Sequence, residues 1–168
     1  MFDPSGPVLG IDPGVSRCGY GAIRRSGGMM TATACGVIRT SPSQALPDRL
    51  RLLDDELVAL LAQLRPSALA VERVLFQTNA RTAMSVGQAS GVALVAAARA
   101  GVPVAQYSPT EVKLAVTGDG RADKRGVQEM VVRLLRLPEI PRPPDAADAL
   151  ALACCHLARA RMMQQVGA

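Results

Sequence analysis

Aromatic residues are nearly missing from this chain: no tryptophan, two tyrosines and two phenylalanines among 168 residues. Histidine is scarcer still, with His156 alone, about two turns beyond Asp148 on the last expected helix; no Ser-His pair is set up for nucleophilic hydrolysis, and His156 is read as structural. The four cysteines, Cys18, Cys35, Cys154 and Cys155, form no CxxC pairs and have no patterned histidine beside them, which excludes a zinc site and leaves them as reduced core residues. No long apolar run exists either. The stretch from Ala89 to Ala98, bounded by Gln88 and Arg99, is shorter than the roughly 20 residues needed to cross a bilayer, so it reads as a buried helix and no membrane partner is expected. The opening MFDPSGPVLG has no basic segment followed by an apolar one, nothing in it suggests export, and a cytoplasmic location is expected. No repeat or low-complexity tract is visible.

What the chain does contain is apolar surface and positive charge. Hydrophobic residues make up 49% and charged residues 20%, a balance that supports a packed core and argues against disorder. At this length one domain, spanning 1–168 with an ordered core of about 7–165, is the default. Nineteen Lys and Arg against fourteen Asp and Glu give a formal charge of +5 and a pI near 9.5, which favours a polyanionic partner without specifying one.

The patterning predicts an α/β fold. Val8 to Ile11 reads as a buried strand stopped by Asp12, Pro13 and Gly14; Cys18 to Arg24 and Met30 to Ile38 follow as strands separated by Ser26, Gly27 and Gly28, so an antiparallel meander is expected. Leu46, Leu50, Leu53, Leu57, Leu60, Leu61 and Leu64 then recur at helical spacing within 45–64. A strand over 68–71, a helix over 79–100 and a strand over 102–107 alternate, which implies right-handed crossovers and parallel pairing. The expected sheet is five-stranded and mixed, three antiparallel strands followed by two parallel ones, flanked by helices. After Tyr107 only helices are expected, beginning near Pro109, after Asp123 and at Asp145, with the proline-rich LPEIPRPP as a connector.

Four carboxylates occupy informative places. Asp12 and Glu72 end strands, where side chains project into the crevice at which open α/β sheets bind ligands. Asp145 and Asp148 are spaced i, i+3 in the first turn of the last helix and share one face. Each has a purely structural alternative: Asp145 suits an N-cap, Asp148 the positive end of the helix dipole, Asp12 a turn and Glu72 a strand end. Together they are more telling, because clustered hard oxygen ligands are what Mg²⁺ or Mn²⁺ requires and uncompensated carboxylates repel one another. Two such ions about 4 Å apart can activate a water and stabilise the leaving oxygen of a phosphodiester, which is nuclease chemistry.

The segments LGIDPGVSRCGYGAI, AVERVLFQTN, VGQASGVAL, SPTEVKLAVTGDGRADKRGVQEMV and PPDAADALALACCH resemble, in order and spacing, the signature segments of the RuvC family of Holliday-junction resolvases. The resemblance covers nearly the whole chain; GIDPG alone is unspecific, whereas DAADALA and the K-x-x-V-x-G-x-G-x-A-x-K pattern from Lys113 to Lys124 are specific. It implies an RNase H-like fold, a homodimer, metal-dependent cleavage of four-way junction DNA, and a branch-migration motor formed by RuvA and RuvB as partner. The family's catalytic acids correspond to Asp12, Glu72, Asp145 and Asp148, expected to hold two Mg²⁺ or Mn²⁺ ions, and its functional lysines to Lys113 and Lys124. Composition adds that these are the two lysines among nineteen cationic side chains. A compact ammonium and a planar guanidinium are different partners for a scissile phosphate. The family's stacking phenylalanine corresponds here to Leu75, with Phe76 following as the candidate wedge against junction bases or, equally, a core residue. Arg73, Arg121 and Arg125 complete the expected DNA-contacting set. The small-residue face of the helix over 79–100, formed by Ala83, Gly87, Ser90, Gly91, Leu94 and Ala98, is the expected dimer contact. Two other readings stand beside this one: an actin-like ATPase lobe, suggested by GIDPG and the meander, and a junction-binding protein without catalysis.

Overall fold

The computed structural model describes residues 6–73 and 79–166. Its elements are β1 (Val8–Asp12), β2 (Arg17–Ser26), β3 (Met29–Arg39), α1 (Leu46–Leu64), β4 (Ala68–Glu72), α2 (Ala80–Arg99), β5 (Val104–Tyr107), α3 (Pro109–Thr117), α4 (Lys124–Leu135) and α5 (Pro144–Val166). The strands lie in the order β3-β2-β1-β4-β5. β1 pairs antiparallel with β2 and β2 with β3, while β1–β4 and β4–β5 are parallel, so the expected mixed sheet is found. The β2–β3 turn is Gly27-Gly28, with φ of 56° and 85°. Two consecutive left-handed residues match the natural twist of a tight hairpin, and glycine adopts them without strain. The fifth strand starts at Val104, two residues later than periodicity predicts.

Alternation along the strands sorts side chains between two cores. Leu9, Ile11, Leu69 and Val71 face α1 and α2, where they meet Leu53, Leu57 and Leu61 of α1 and the alanines of α2. Val8, Ala68 and Ala70 face α3, α4 and α5, with Val112, Val116, Val127, Val131 and Leu150. Full burial of a leucine such as Leu53 or Leu57 stabilises the fold by about 1.5–3 kcal/mol. The period of two also decides the site: Asp12 shares its face with Val8 and Gly10, and Glu72 shares its face with Ala68 and Ala70. Both carboxylates therefore point to the side on which α5 lies.

That helix lies unusually close to the sheet. A Cβ at Gly10 would overlap the Ala149 carbonyl oxygen, one at Gly19 would overlap the Asp145 carbonyl oxygen, and one at Gly21 would stand 2.7 Å from the Leu150 side chain. Three glycines on β1 and β2 thus let the α5 backbone rest directly on the strands. Residues 146, 147 and 149–155 are all buried. Among the cysteines, Cys18, Cys154 and Cys155 are buried, but Cys35 is exposed; it sits on β3, the edge strand of the sheet, which pairs with a neighbour on one side alone. Among the described residues, no helix is long and apolar enough to cross a membrane.

Candidate active site

Asp12 closes β1 and Glu72 closes the parallel neighbour β4, one step beyond the paired residues Ile11 and Val71. α5 crosses above them with Asp145 and Asp148 in its first two turns. Asp12, Glu72 and Asp148 line one cleft of about 330 Å³ together with Lys113, Lys124, Pro109, Val112 and Val127. Asp12 and Asp145 line a second cleft of about 330 Å³, walled by the loop from Pro13 to Ser16, Arg17 and the start of α2. The four expected acids therefore gather around one strand end, with Asp12 common to both clefts.

The charges strain against one another. Burial first, then the carboxylates of Glu72, Asp148 and Asp145, push the Asp12 carboxyl up to about 7, with Lys124 opposing. Glu72 is raised as well, by burial and then Asp148, again opposed by Lys124. Lys124 Nζ lies 2.7 Å from Asp148 Oδ2, and this hydrogen bond is the main cause of its raised pKa. Arg17 Nε stands 3.7 Å from Asp145 Oδ2, too far for a hydrogen bond, and among the described residues that buried oxygen has no hydrogen-bond partner. Asp145 thus departs from the N-cap alternative. α5 already begins at Pro144, the amide of Ala146 bonds to the Pro143 carbonyl, and the Asp145 carboxylate turns into the site.

A buried carboxylate oxygen without a donor, beside an acid that burial and its neighbouring carboxylates push up to about 7, marks a cluster short of positive charge. Its donors are all carboxylate oxygens, the set that suits a hard divalent cation. Among the described residues no three acids stand close enough together to hold a metal ion as they are placed; Lys124 and Arg17 lie among these like charges.

Each lysine is placed by local chemistry. Lys124 is the first residue of α4, whose N-cap Asp123 accepts from the Gly126 amide at 2.7 Å. Lys113 rides on α3, which a Ser108–Glu111 capping box starts and an Arg159–Glu111 ion pair at 3.0 Å anchors to α5. The expected DNA-contacting arginines are more scattered. Arg73 donates to the Gln106 carbonyl at 3.2 Å, Arg125 is bound to Glu129 at 2.8 Å, and Arg121 is exposed; none lines either cleft. Leu75 and Phe76 lie outside the described residues. His156 bonds through Nδ1 to the Tyr107 hydroxyl at 2.8 Å, away from both cleft linings. Arg17 and Arg81, which face the second cleft, are not marked out by the sequence; its one signal is that Arg17 follows Asp12 within the same turn.

The family model for the crossover junction endodeoxyribonuclease RuvC matches residues 8–156. A crossover junction endodeoxyribonuclease RuvC from Salinispora arenicola is 58% identical over 153 residues, 90% of this chain and 87% of that one. Thermus thermophilus RuvC, solved in complex with a Holliday junction substrate, superposes with a TM-score of 0.89 at 40% identity, covering 94% of this chain and 96% of the other. The yeast mitochondrial resolvase Ydc2, at 14% identity and a TM-score of 0.69, shares the fold. A five-stranded mixed sheet in this order, an RNase H-like fold, and a family match across nearly the whole length make this chain a member of the RuvC family of crossover junction endodeoxyribonucleases.

Proposed function

We propose that this chain resolves Holliday junctions by paired, symmetrical nicks during homologous recombination and DNA repair, and that Asp12, Glu72, Asp145 and Asp148 form its catalytic centre. The observation that carries the reading is the gathering of these four acids and both lysines around one strand end in a RuvC-family chain. RuvC nucleases are metal-dependent, and the acids are suited to hold two Mg²⁺ or Mn²⁺ ions. Bound there, the metal supplies Lewis acidity that activates water and neutralises the leaving oxygen. The four carboxylates orient that chemistry beneath the scissile phosphate. Lys113 neutralises phosphate charge from the α3 side. Lys124, held by Asp148 in the resting protein, becomes free to turn to the phosphate once that carboxylate is engaged elsewhere. The expected products carry 5′-phosphate and 3′-hydroxyl ends that a ligase can seal.

A four-way junction offers two equivalent strands, so a two-fold dimer is the natural enzyme. The outer face of α2 suits that contact: Met84 and Val95 are 64% and 48% exposed, and Gly87 and Gly91 open onto empty space. Ser90, expected on this face, is instead 3% exposed and turned into the core. Coupling to a RuvA–RuvB branch-migration motor and a cytoplasmic location belong to the same reading. Membership of the RuvC family disfavours both the ATPase lobe and the non-catalytic junction binder.

The decisive experiment is incubation with a synthetic four-way junction, with and without Mn²⁺, read as strand breaks on a denaturing gel. Wild type is expected to nick only with metal. Asp148→Asn and Glu72→Gln are expected to lose nicking by at least a hundredfold, about 2.7 kcal/mol of barrier or more, while binding the junction normally. Undiminished nicking by both variants overturns the assignment.

A further inference from the structure

The second cleft shares Asp12 with the first but differs from it in character. Two guanidiniums, of Arg17 and Arg81, and the hydroxyl residues Ser16, Thr82 and Ser85 line it, and the acids in its lining are Asp12 and Asp145, on the wall common to both clefts. Its floor is built in advance. Thr40, itself buried, donates through Oγ1 to the Val15 carbonyl at 2.6 Å and accepts from Arg49 Nε at 2.8 Å. Arg49 Nη2 donates to Ser16 Oγ at 2.6 Å, and the Val15 amide donates to Ser85 Oγ at 3.3 Å. A hydroxyl that accepts such a bond keeps its own proton to donate. The floor thus presents hydroxyl donors whose oxygens are already fixed.

Charge is concentrated at the rim. Arg81 is exposed, and its guanidinium makes no hydrogen bond or ion pair among the described residues. The Asn79 carboxamide accepts from the amides of Arg81 and Thr82 at 3.2 and 3.4 Å, so the cationic groups of this cleft are the side chains of Arg17 and Arg81 and not a bare helix end. Because Asp12 belongs to both clefts, a strand whose scissile phosphate lies over the acids has this cleft within reach as well as the lysine cleft.

We propose that the second cleft is a phosphate subsite. It seats the backbone phosphate next to the scissile one on the strand being cut, with Arg81 and Arg17 as cationic contacts and Ser16, Thr82 and Ser85 as hydrogen-bond donors. This rests on the resolvase reading above. It assigns Lys113 and Lys124 to one flank of the cut and the two arginines to the other, so that the strand is gripped on both sides and its register over the acids is fixed. Arg17 acts here as a positioning residue: its loose pairing with Asp145 leaves it able to turn to the phosphate.

The test uses the full-length protein and a synthetic four-way junction, with binding measured without divalent metal over a range of salt. Arg81→Ala is expected to weaken binding about fivefold and to make the log–log salt dependence shallower by about 0.9 for each phosphate that is no longer neutralised. Arg17→Ala shifts binding in the same direction, and Arg81→Lys restores most of the affinity. A junction carrying one uncharged methylphosphonate beside the scissile phosphate, placed on either side in turn, should weaken wild type on one side by as much as Arg81→Ala does. On that substrate Arg81→Ala should weaken binding no further. Wild-type affinity and salt slope in both alanine variants, or fully additive effects of Arg81→Ala and the methylphosphonate, overturn the subsite. Competition by inorganic phosphate with no methylphosphonate effect also overturns it, since the cleft would then hold a free anion and not the strand. Failure of the underlying resolvase reading looks different: wild type itself would give no metal-dependent nick.

Discussion

Asp12 is where burial and three neighbouring carboxylates push in one direction, to a pKa of about 7 against an ordinary 3.8. An unfolded chain releases this proton near pH 4 while the native one keeps it until about pH 7, so between those values the native state binds more protons. Stability of the metal-free protein therefore falls as pH rises through that window, by at most about 1.4 kcal/mol per pH unit, and levels off above it. Glu72, raised for the same reasons, adds to the slope. Thermal melting of metal-free protein from pH 4 to 8 checks this, and Asp12→Asn should flatten the curve; an unchanged slope in that variant would show that the repulsion lies elsewhere. Asp145 yields a prediction opposite to the one its sequence position invites. As an N-cap its loss would cost about 0.5–2 kcal/mol, but its buried Oδ2 has no hydrogen-bond partner among the described residues. Asp145→Ala should accordingly melt no lower than wild type without metal, while nicking disappears.

At the level of elements, the packing of α5 on the β1–β2 pair aims two of the four acids. Gly10 and Gly19 face the carbonyls of Ala149 and Asp145 with no room for a methyl group. The obstacle in each case is backbone, which cannot rotate away as a side chain can. Gly10→Ala should therefore lower stability by about 3 kcal/mol or more, seen as a reduced denaturant midpoint. Whatever folds should nick poorly, because lifting α5 moves Asp145 and Asp148 away from Asp12. A normal midpoint for Gly10→Ala would mean that α5 lies less tightly on β1 than described. The sequence LALACC within α5 reads as an ordinary buried helix; that its closeness also sets the reach of two carboxylates emerges only when the glycines of another segment are seen beneath it.

Across the whole molecule, α2 joins two tasks. Its first turn walls the arginine cleft, its inner face of Ala89, Ser90, Ala93, Ala96 and Ala97 packs on the sheet, and its outer face, with Met84 and Val95 exposed, is the contact proposed for a second copy. A Cβ at Gly87 has nothing within 4 Å among the described residues, so Gly87→Glu should fold normally, sediment as a monomer and lose paired cuts in favour of single nicks. Sedimentation at micromolar concentration and a cut-pairing assay decide it: a wild-type monomer that still makes paired nicks removes the dimer. The net charge of +5 is spread too widely to locate the DNA path. Arg125 is engaged by Glu129, whereas Arg17 and Arg81 converge beside the acids.

Near neighbours along the chain were enough to establish the short apolar runs of β1 and β4 that put Asp12 and Glu72 at strand ends, the leucine spacing of α1, the glycine turn after β2, and the motifs that carry the family. These are legible because strand and helix periodicity and turn conformation are set within a few residues. Packing settled what depends on residues far apart in sequence. It turned Asp145 from a possible cap into a carboxylate that faces Arg17 without a hydrogen bond to its buried oxygen, put Lys124 on Asp148, buried Ser90, exposed Cys35 and brought Arg17 and Arg81 into one cleft. Local pattern says which face of an element is apolar, but which element covers that face, and how closely, is fixed only when helices and sheet come together, and here the closeness of α5 to three strand glycines set the position of the acids.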